Sequence, residues 1–243
     1  MIAIAKLELI AHRGRVTRVR DENTIKAFKK SVQDGATWIE CDIRYNQPTQ
    51  TNYIFHDSTL KRLLDMPDDF DTYPDPSTLQ LTKSKEAIPS LNNLIDFLID
   101  QKTLSVNLEI KTPGSYKNLA DDLAKWQSKK TAQQALVISD FDHQALQAFK
   151  KANPIHDVAF LFDTAPTQTQ VASLAKFMQA FNQSLRIHLN VEALTPETAQ
   201  LIRANGGDLY CFTVNSKKHF KLVKSLPVAG IFTDDVRRFL AES

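Results

Sequence analysis

Short apolar runs rich in β-branched residues alternate along the chain with longer stretches whose apolar positions fall three and four apart. Leu7 to Ala11 is the first run, and it ends at His12-Arg13-Gly14. Asn23-Thr24 then opens a helical pattern carried by Ile25, Phe28 and Val32, with Gly35 as its stop. Residues 36–44 and 52–55 read as the second and third extended runs. Residues 61–88 show no period; they are acidic and broken by Pro67, Pro74 and Pro76, which predicts a long loop excursion. Ser90 is the candidate N-cap of a helix bearing Leu91, Leu94, Ile95 and Leu98. Beyond it the alternation is regular. Extended runs at 104–110, 135–139, 157–162, 185–190, 208–214 and 230–233 are each followed by a helical pattern, the last at 235–240.

Strict alternation of strand and helix implies a parallel sheet with helices outside it. Nine extended runs are one too many for an eight-stranded barrel. The link 45–51 is too short for a parallel crossover, so the run ending at His56 returns antiparallel, as a hairpin arm. Eight parallel strands remain. The expected fold is α/β, a distorted (β/α)8 TIM barrel forming one domain over residues 1–243. The hairpin and the long loop lie over its C-terminal face, where chemistry is expected. An open doubly wound sheet competes, without a Gly-x-Gly-x-x-Gly fingerprint to favour it.

Composition narrows the function classes only slightly. A net charge of +2 gives no electrostatic argument for nucleic acid or a membrane surface. Cys41 and Cys211 both lie in apolar runs and read as buried small hydrophobes. That points to a reducing compartment. Met1 to Lys6 lacks the pattern of a signal peptide, and no apolar run reaches membrane-spanning length, so a cytoplasmic enzyme without stable membrane insertion is expected.

The chemistry gathers on three neighbouring barrel strands. Glu40 and Asp42 are two apart within Trp38-Ile39-Glu40-Cys41-Asp42-Ile43, so they share a strand face, with Cα atoms roughly 6–7 Å apart. Two buried carboxylates that close repel each other, and a hard divalent cation removes the penalty. Glu109 on the next barrel strand completes a set of oxygen ligands that suits Mg²⁺ or Ca²⁺ better than zinc. Arg13 and Lys111 would make the same mouth an anion site. His12 and His56 are placed to exchange protons with a phosphodiester held there.

The ordered set of motifs resembles the glycerophosphodiester phosphodiesterase family. It comprises His12-Arg13-Gly14, Glu22-Asn23-Thr24 with Ala27-Phe28, Gly35-Ala36, Ile39-Glu40-Cys41-Asp42-Ile43, His56-Asp57, Ile88-Pro89-Ser90-Leu91, Leu108-Glu109-Ile110-Lys111, Phe212-Thr213-Val214-Asn215 and Gly230-Ile231-Phe232-Thr233-Asp234. The likeness runs from residue 9 to about residue 236. It implies a distorted TIM barrel, a divalent cation, and hydrolysis of a small-molecule glycerophosphodiester to glycerol 3-phosphate and an alcohol. It also implies roles: His12 and His56 as the acid/base pair, Glu40, Asp42 and Glu109 as metal ligands, and Arg13 and Lys111 as phosphate-contacting cations. The family scheme has the glycerol 2-hydroxyl attack phosphorus, after which water opens the cyclic phosphate. Departures from the family pattern bear on the head group. Asp21 stands where a proline is usual, Arg15, Arg18 and Arg20 form a basic insertion, the turn after the second run reads Asn46-Gln47-Pro48, and Phe212 replaces a common tryptophan in the substrate wall. Two further readings stay open: cleavage of lysophospholipids by the same barrel, and a silent barrel that binds phosphorylated ligands.

The remaining polar residues receive ordinary roles. Glu22 and Asn23 are expected to cap the first helix and brace its loop. His143 is expected on a helix surface, His156 at a loop end and His219 on an exposed face. His188 shares a strand face with Arg186 and Asn190 that can line the barrel. Trp38 reads as core and Trp126 as helix-face packing; the Arg15–Arg20 cluster reads as a solvated face near the anion site.

Overall fold

The strands are β1 (Glu8–Ala11), β2 (Trp38–Asn46), β3 (Thr51–Ile54), β4 (Ser105–Ile110), β5 (Leu136–Asp140), β6 (Asp157–Phe162), β7 (Arg186–Asn190), β8 (Asp208–Phe212) and β9 (Gly230–Thr233). They belong to a computed structural model that describes residues 7–16 and 20–241. Arg18 and the Met1–Lys6 segment, both used in the sequence reading, lie outside the described residues. β1 pairs parallel with both β2 and β9, so the sheet closes on itself. Eight parallel strands complete the ring, and β3 runs antiparallel to β2, with Ile43 opposite Ile54 and Asn46 opposite Thr51. The fold is therefore the expected (β/α)8 barrel with a hairpin arm.

Helices α1 (Ile25–Gln33), α2 (Lys61–Leu64), α3 (Leu91–Asp100), α4 (Leu119–Lys129), α5 (His143–Ala152), α6 (Gln168–Gln179), α7 (Pro196–Ala204) and α8 (Lys217–Lys224) form the connections. Their starts follow the local chemistry of unpaired N–H groups. Thr24, Ser90, Asp142, Thr167, Thr195 and Ser216 each accept a backbone N–H from the first turn, and Ser90 forms a reciprocal capping box with Asn93. Thr24, not Glu22 or Asn23, caps α1. The chain after β9 makes only a 3₁₀ turn, Val236–Arg238, where a helix over 235–240 was expected.

Alternation along each strand divides the molecule into two environments. Ile39, Cys41 and Ile43 of β2, with Val106, Leu108 and Ile110 of β4, face the helices and join the main apolar core. Their neighbours Glu40, Asp42, Asn107 and Glu109 lie on the other face of the same strands, in the barrel interior. Ile10, Tyr210 and Phe232 plug that interior, with Trp38 and Phe212 packed against them. Trp38 is only half-buried, and its ring flanks Arg186, whose guanidinium carbon lies 5.2 Å from the ring centre. Trp126 is buried as expected, and both cysteines are buried and unpaired.

Residues 58–88 depart from the expected loop. They carry α2 and a 3₁₀ turn (Pro76–Thr78), and they enclose a separate apolar cluster of Leu60, Leu63, Leu64, Phe70, Leu81 and Ile88 over Tyr53 and Phe55. The Phe55 and Phe70 rings stack 4.5 Å apart. These residues are irregularly spaced in sequence, so they show no period although they pack together.

Two histidine expectations also change, and a third holds. His143 packs on Phe162 at 4.5 Å between ring centres, and its Nε2 lies 2.9 Å from the Leu161 carbonyl oxygen rather than facing solvent. His219 is half-buried, with Nε2 3.4 Å from a Glu192 carboxylate oxygen. His156 does lie in the link before β6, but buried, with its carbonyl accepting from Lys150 Nζ at 2.7 Å.

Gly14 is the backbone position most sensitive to substitution near the site. It has φ +75°, and a Cβ there would stand 2.8 Å from the Phe28 ring and 2.9 Å from Ala27 Cβ. Gly14→Ala is expected to cost about 1–3 kcal/mol in urea unfolding, through left-handed strain and overpacking. Unfolding within 0.5 kcal/mol of wild type would show that α1 moves away without penalty.

Candidate active site

The parallel register sets the acidic cluster. Glu40 pairs with Asn107 and Asp42 with Glu109 across β2 and β4, so the three carboxylates come from two adjacent strands. One oxygen from each of Glu40, Asp42 and Glu109 lies within 4.8 Å of the other two. Asp42 is fully buried and accepts from Asn23 Nδ2 at 2.7 Å. Its other oxygen lies 3.2 Å from Lys111 Nζ, and Arg13 Nε approaches Oδ2 at 3.2 Å. Burial alone would raise its pKa, but Lys111 and Arg13 hold it well below the usual carboxylate range. Glu40 has the opposite balance: burial and the Asp42 charge push it up to about 8. Burial also raises Glu109, against the pull of its ion pair with Lys111.

Glu40 Oε2 accepts the Arg13 backbone N–H at 2.8 Å, while among the described residues its Oε1 is buried without a hydrogen-bond partner. An all-oxygen donor set with a repelled, orphaned carboxylate oxygen fits a hard divalent cation. Arg13 follows β1 in a left-handed conformation (φ +54°), which turns its guanidinium toward Asp42 and Glu22. Glu22 and Asn23 thus brace the site rather than cap a helix.

The two histidines are held alike. His12 lies just beyond β1, and its Nδ1 is 2.7 Å from Asp234 Oδ1. Asp234, which follows β9, in turn accepts from Asn215 Nδ2 at 2.7 Å. A carboxylate at Nδ1 fixes the ring proton there and leaves Nε2 toward the site, 4.0 Å from Glu40 Oε2. Burial disfavours the imidazolium, yet the Asp234 bond and the Glu40 charge outweigh it and raise the His12 pKa. His56, beyond β3, has Nδ1 2.6 Å from Asp57 Oδ1. The guanidinium of Arg44 donates to the His56 carbonyl at 3.2 Å, fixing that backbone against β2.

A cavity of about 300 Å³ runs from Glu109 and Lys111 past Thr112 to Asp140, Phe141 and Asp142. Phe212 is half-buried and meets the exposed Phe141 edge-on at 6.1 Å. Of the eight residues expected at the site, His12, Arg13, His56, Glu109, Lys111 and Phe212 lie at or just beyond strand ends, and Glu40 and Asp42 project from β2 beyond the end of neighbouring β1. His188 does not join them. It is fully buried in the barrel interior, with Nε2 accepting from Arg186 Nε at 3.1 Å, and burial with that neighbouring charge holds it neutral. Arg15 pairs with Asp34 at 2.5 Å instead of remaining a solvated charge.

Asp57, Asp234, Asn215 and Arg62 received no role from sequence. Asp57 adjoins His56, a local signal for an imidazole partner. Asp234 and Asn215 stand inside motif strings, but only barrel closure brings them to His12.

A family model for the glycerophosphoryl diester phosphodiesterase family matches residues 12–238. The chain belongs to that family. It is accordingly a phosphoric diester hydrolase of the glycerophosphodiester phosphodiesterase type. A glycerophosphodiester phosphodiesterase of Caldanaerobacter subterraneus subsp. tengcongensis is 28% identical, over 95% of this chain and 95% of the relative. One of Bacillus altitudinis is 26% identical, over 93% and 94%. Among solved structures, an Oleispira antarctica phosphodiesterase in complex with the product sn-glycerol-3-phosphate has a TM-score of 0.80 at 21% identity, covering 96% of this chain and 95% of that one. That likeness shows the shared barrel. Among the described residues of this phosphodiesterase, no helix is long and apolar enough to cross a membrane.

Proposed function

We propose that this phosphodiesterase cleaves glycerophosphodiesters to glycerol 3-phosphate and an alcohol, with His12 and His56 as its acid/base pair. In this reading Glu40, Asp42 and Glu109 hold a divalent cation, Mg²⁺ or Ca²⁺. What carries it is one geometric fact: each imidazole has Nδ1 tied to a carboxylate beside a triad of acids, buried at Glu40 and Asp42, flanked by Arg13 and Lys111. When bound, the cation supplies positive charge against the non-bridging phosphate oxygens.

Arg13 and Lys111 add permanent charge toward the same phosphate, and Phe141, backed edge-on by Phe212, walls the adjoining cavity for the rest of the substrate. In the first step Nε2 of one histidine takes the proton of the glycerol 2-hydroxyl as that oxygen attacks phosphorus. Nε2 of the other gives its proton to the departing alcohol oxygen, leaving a cyclic phosphate. In the second step the now neutral ring deprotonates water, which attacks phosphorus. The first ring returns its proton to the 2-oxygen, and glycerol 3-phosphate leaves. Asp57 and Asp234 keep each ring in one orientation through both proton exchanges.

The test is product analysis with glycerophosphocholine, -ethanolamine, -glycerol and -inositol. Glycerol 3-phosphate is expected from at least one of them, lost with EDTA and restored by Mg²⁺ or Ca²⁺. Faster turnover of lysophosphatidylcholine than of glycerophosphocholine, or no release of glycerol 3-phosphate at all, would reject the reading.

A further inference from the structure

One guanidinium outside the machinery described so far touches both halves of it. Arg62 lies on α2, in the excursion between β3 and α3. One of its edges meets Asp57, with Nε 2.6 Å from Oδ2 and Nη2 3.0 Å from Oδ1. The other meets Glu22, with Nη1 2.8 Å from Oε2 and Nη2 2.7 Å from Oε1. Asp57 holds Nδ1 of His56, and the buried Glu22 holds Nη1 of Arg13 at 3.0 Å. The Arg62 carbonyl also accepts from Arg20 Nη1 at 3.2 Å.

We propose that Arg62 is a positioning residue for diester cleavage, orienting His56 through Asp57 and Arg13 through Glu22. A single planar side chain then registers an acid/base imidazole to the cation that grips the phosphate. This rests on the roles given above to His56 and Arg13. Only a guanidinium can serve two carboxylates through two forked edges; an ammonium offers one point charge. Arg62 is not needed to anchor α2, because Leu63 and Leu64 are buried there while the Arg62 side chain is 39% exposed. The two arms also act on different parameters: loosening Arg13 weakens substrate binding, and loosening His56 slows the chemical steps. Misplacement by about 1 Å suffices for roughly a 10²-fold loss.

Steady-state kinetics on glycerophosphocholine test this with R62A, R62K, E22Q and D57N. R62A is expected to lower kcat about 100-fold and raise KM about tenfold, with an unchanged circular-dichroism spectrum. R62K should recover only a small part of the loss, whereas tens of millimolar guanidinium should restore R62A, and not R62K, about fivefold or more. E22Q should act mainly on KM and D57N mainly on kcat, and R62A should add little to KM on the E22Q background. The proposal is overturned if R62A keeps kcat and KM within twofold of wild type. It is equally overturned if R62A only scales kcat down with the folded fraction, at unchanged KM and without guanidinium rescue. A wild type inactive on every diester would instead remove the functional reading. Imidazole ¹⁵N NMR still decides the Arg62–Asp57–His56 arm in that case: wild type should hold the His56 proton on Nδ1, and R62A should mix the tautomers. An unchanged His56 signal in R62A overturns the proposal there.

Discussion

His12→Ala and His56→Ala are each expected to lower turnover by roughly 10²–10⁴-fold while leaving the barrel folded. The structure says why folding survives. Without the His56 ring, Asp57 still pairs with Arg62; without the His12 ring, Asp234 still accepts from Asn215. Neither deletion strands a buried charge. His12→Ala also changes how stability responds to pH. The folded protein raises the His12 pKa above 6.5, so the imidazolium stabilises the fold fully below about pH 6.5. That contribution is lost as pH rises through the raised value. His12→Ala should therefore be more destabilised at pH 6 than at pH 9 in thermal melts. Wild-type turnover in either variant would remove that residue from the proton-transfer scheme.

The second large effect is at Glu40. Glu40→Gln is expected to reduce Mg²⁺-stimulated turnover by roughly 10²–10⁴-fold, as suits the loss of one of three carboxylates around a Lewis acid. A stability readout accompanies it. In the metal-free fold Glu40 is pushed from 4.5 up to about 8, so the unfolded chain ionises it first. Stability of the metal-free protein must then fall as pH rises from about 4.5 to about 8, where the unfolded state holds fewer protons. Gln carries no such proton. Metal-free Glu40→Gln should match wild type near pH 4.5 and exceed it in Tm at pH 8. Mg²⁺ binding at pH 7 should also expel a proton from wild type and not from the variant, as read by calorimetry in buffers of different ionisation enthalpy. Undiminished Mg²⁺ activation in Glu40→Gln would take Glu40 out of the ligand set.

The readable part of this protein was the part written in local periods. Two-residue spacing in β2 put Glu40 and Asp42 on one face, and the short link 45–51 identified the hairpin before any strand was paired. Capping chemistry at Ser90 and Thr195 fixed helix starts in the same way. What stayed hidden depends on contacts that have no period. The excursion packs Leu60, Phe70 and Leu81 around Phe55 without regular spacing. His143 turned inward because Phe160 and Phe162 on β6 offer their rings to the first turn of α5. His188 read only as a residue that can line the barrel, since a strand face alone does not say how deep a residue sits. Asp234 is 222 residues from the imidazole it supports, a distance over which sequence carries no local signal.

The seam between β1 and β9 has a consequence for how the protein comes into being. His12 emerges early in synthesis, but its carboxylate partner arrives only with the strand that zips the cylinder shut. A growing polypeptide still on the ribosome before Gly230 thus carries most of the proposed chemistry without the group that steers one of its two imidazoles. In the proposed scheme an oriented His12 is a property of the closed ring, because Asp234 reaches it only once β9 has paired with β1.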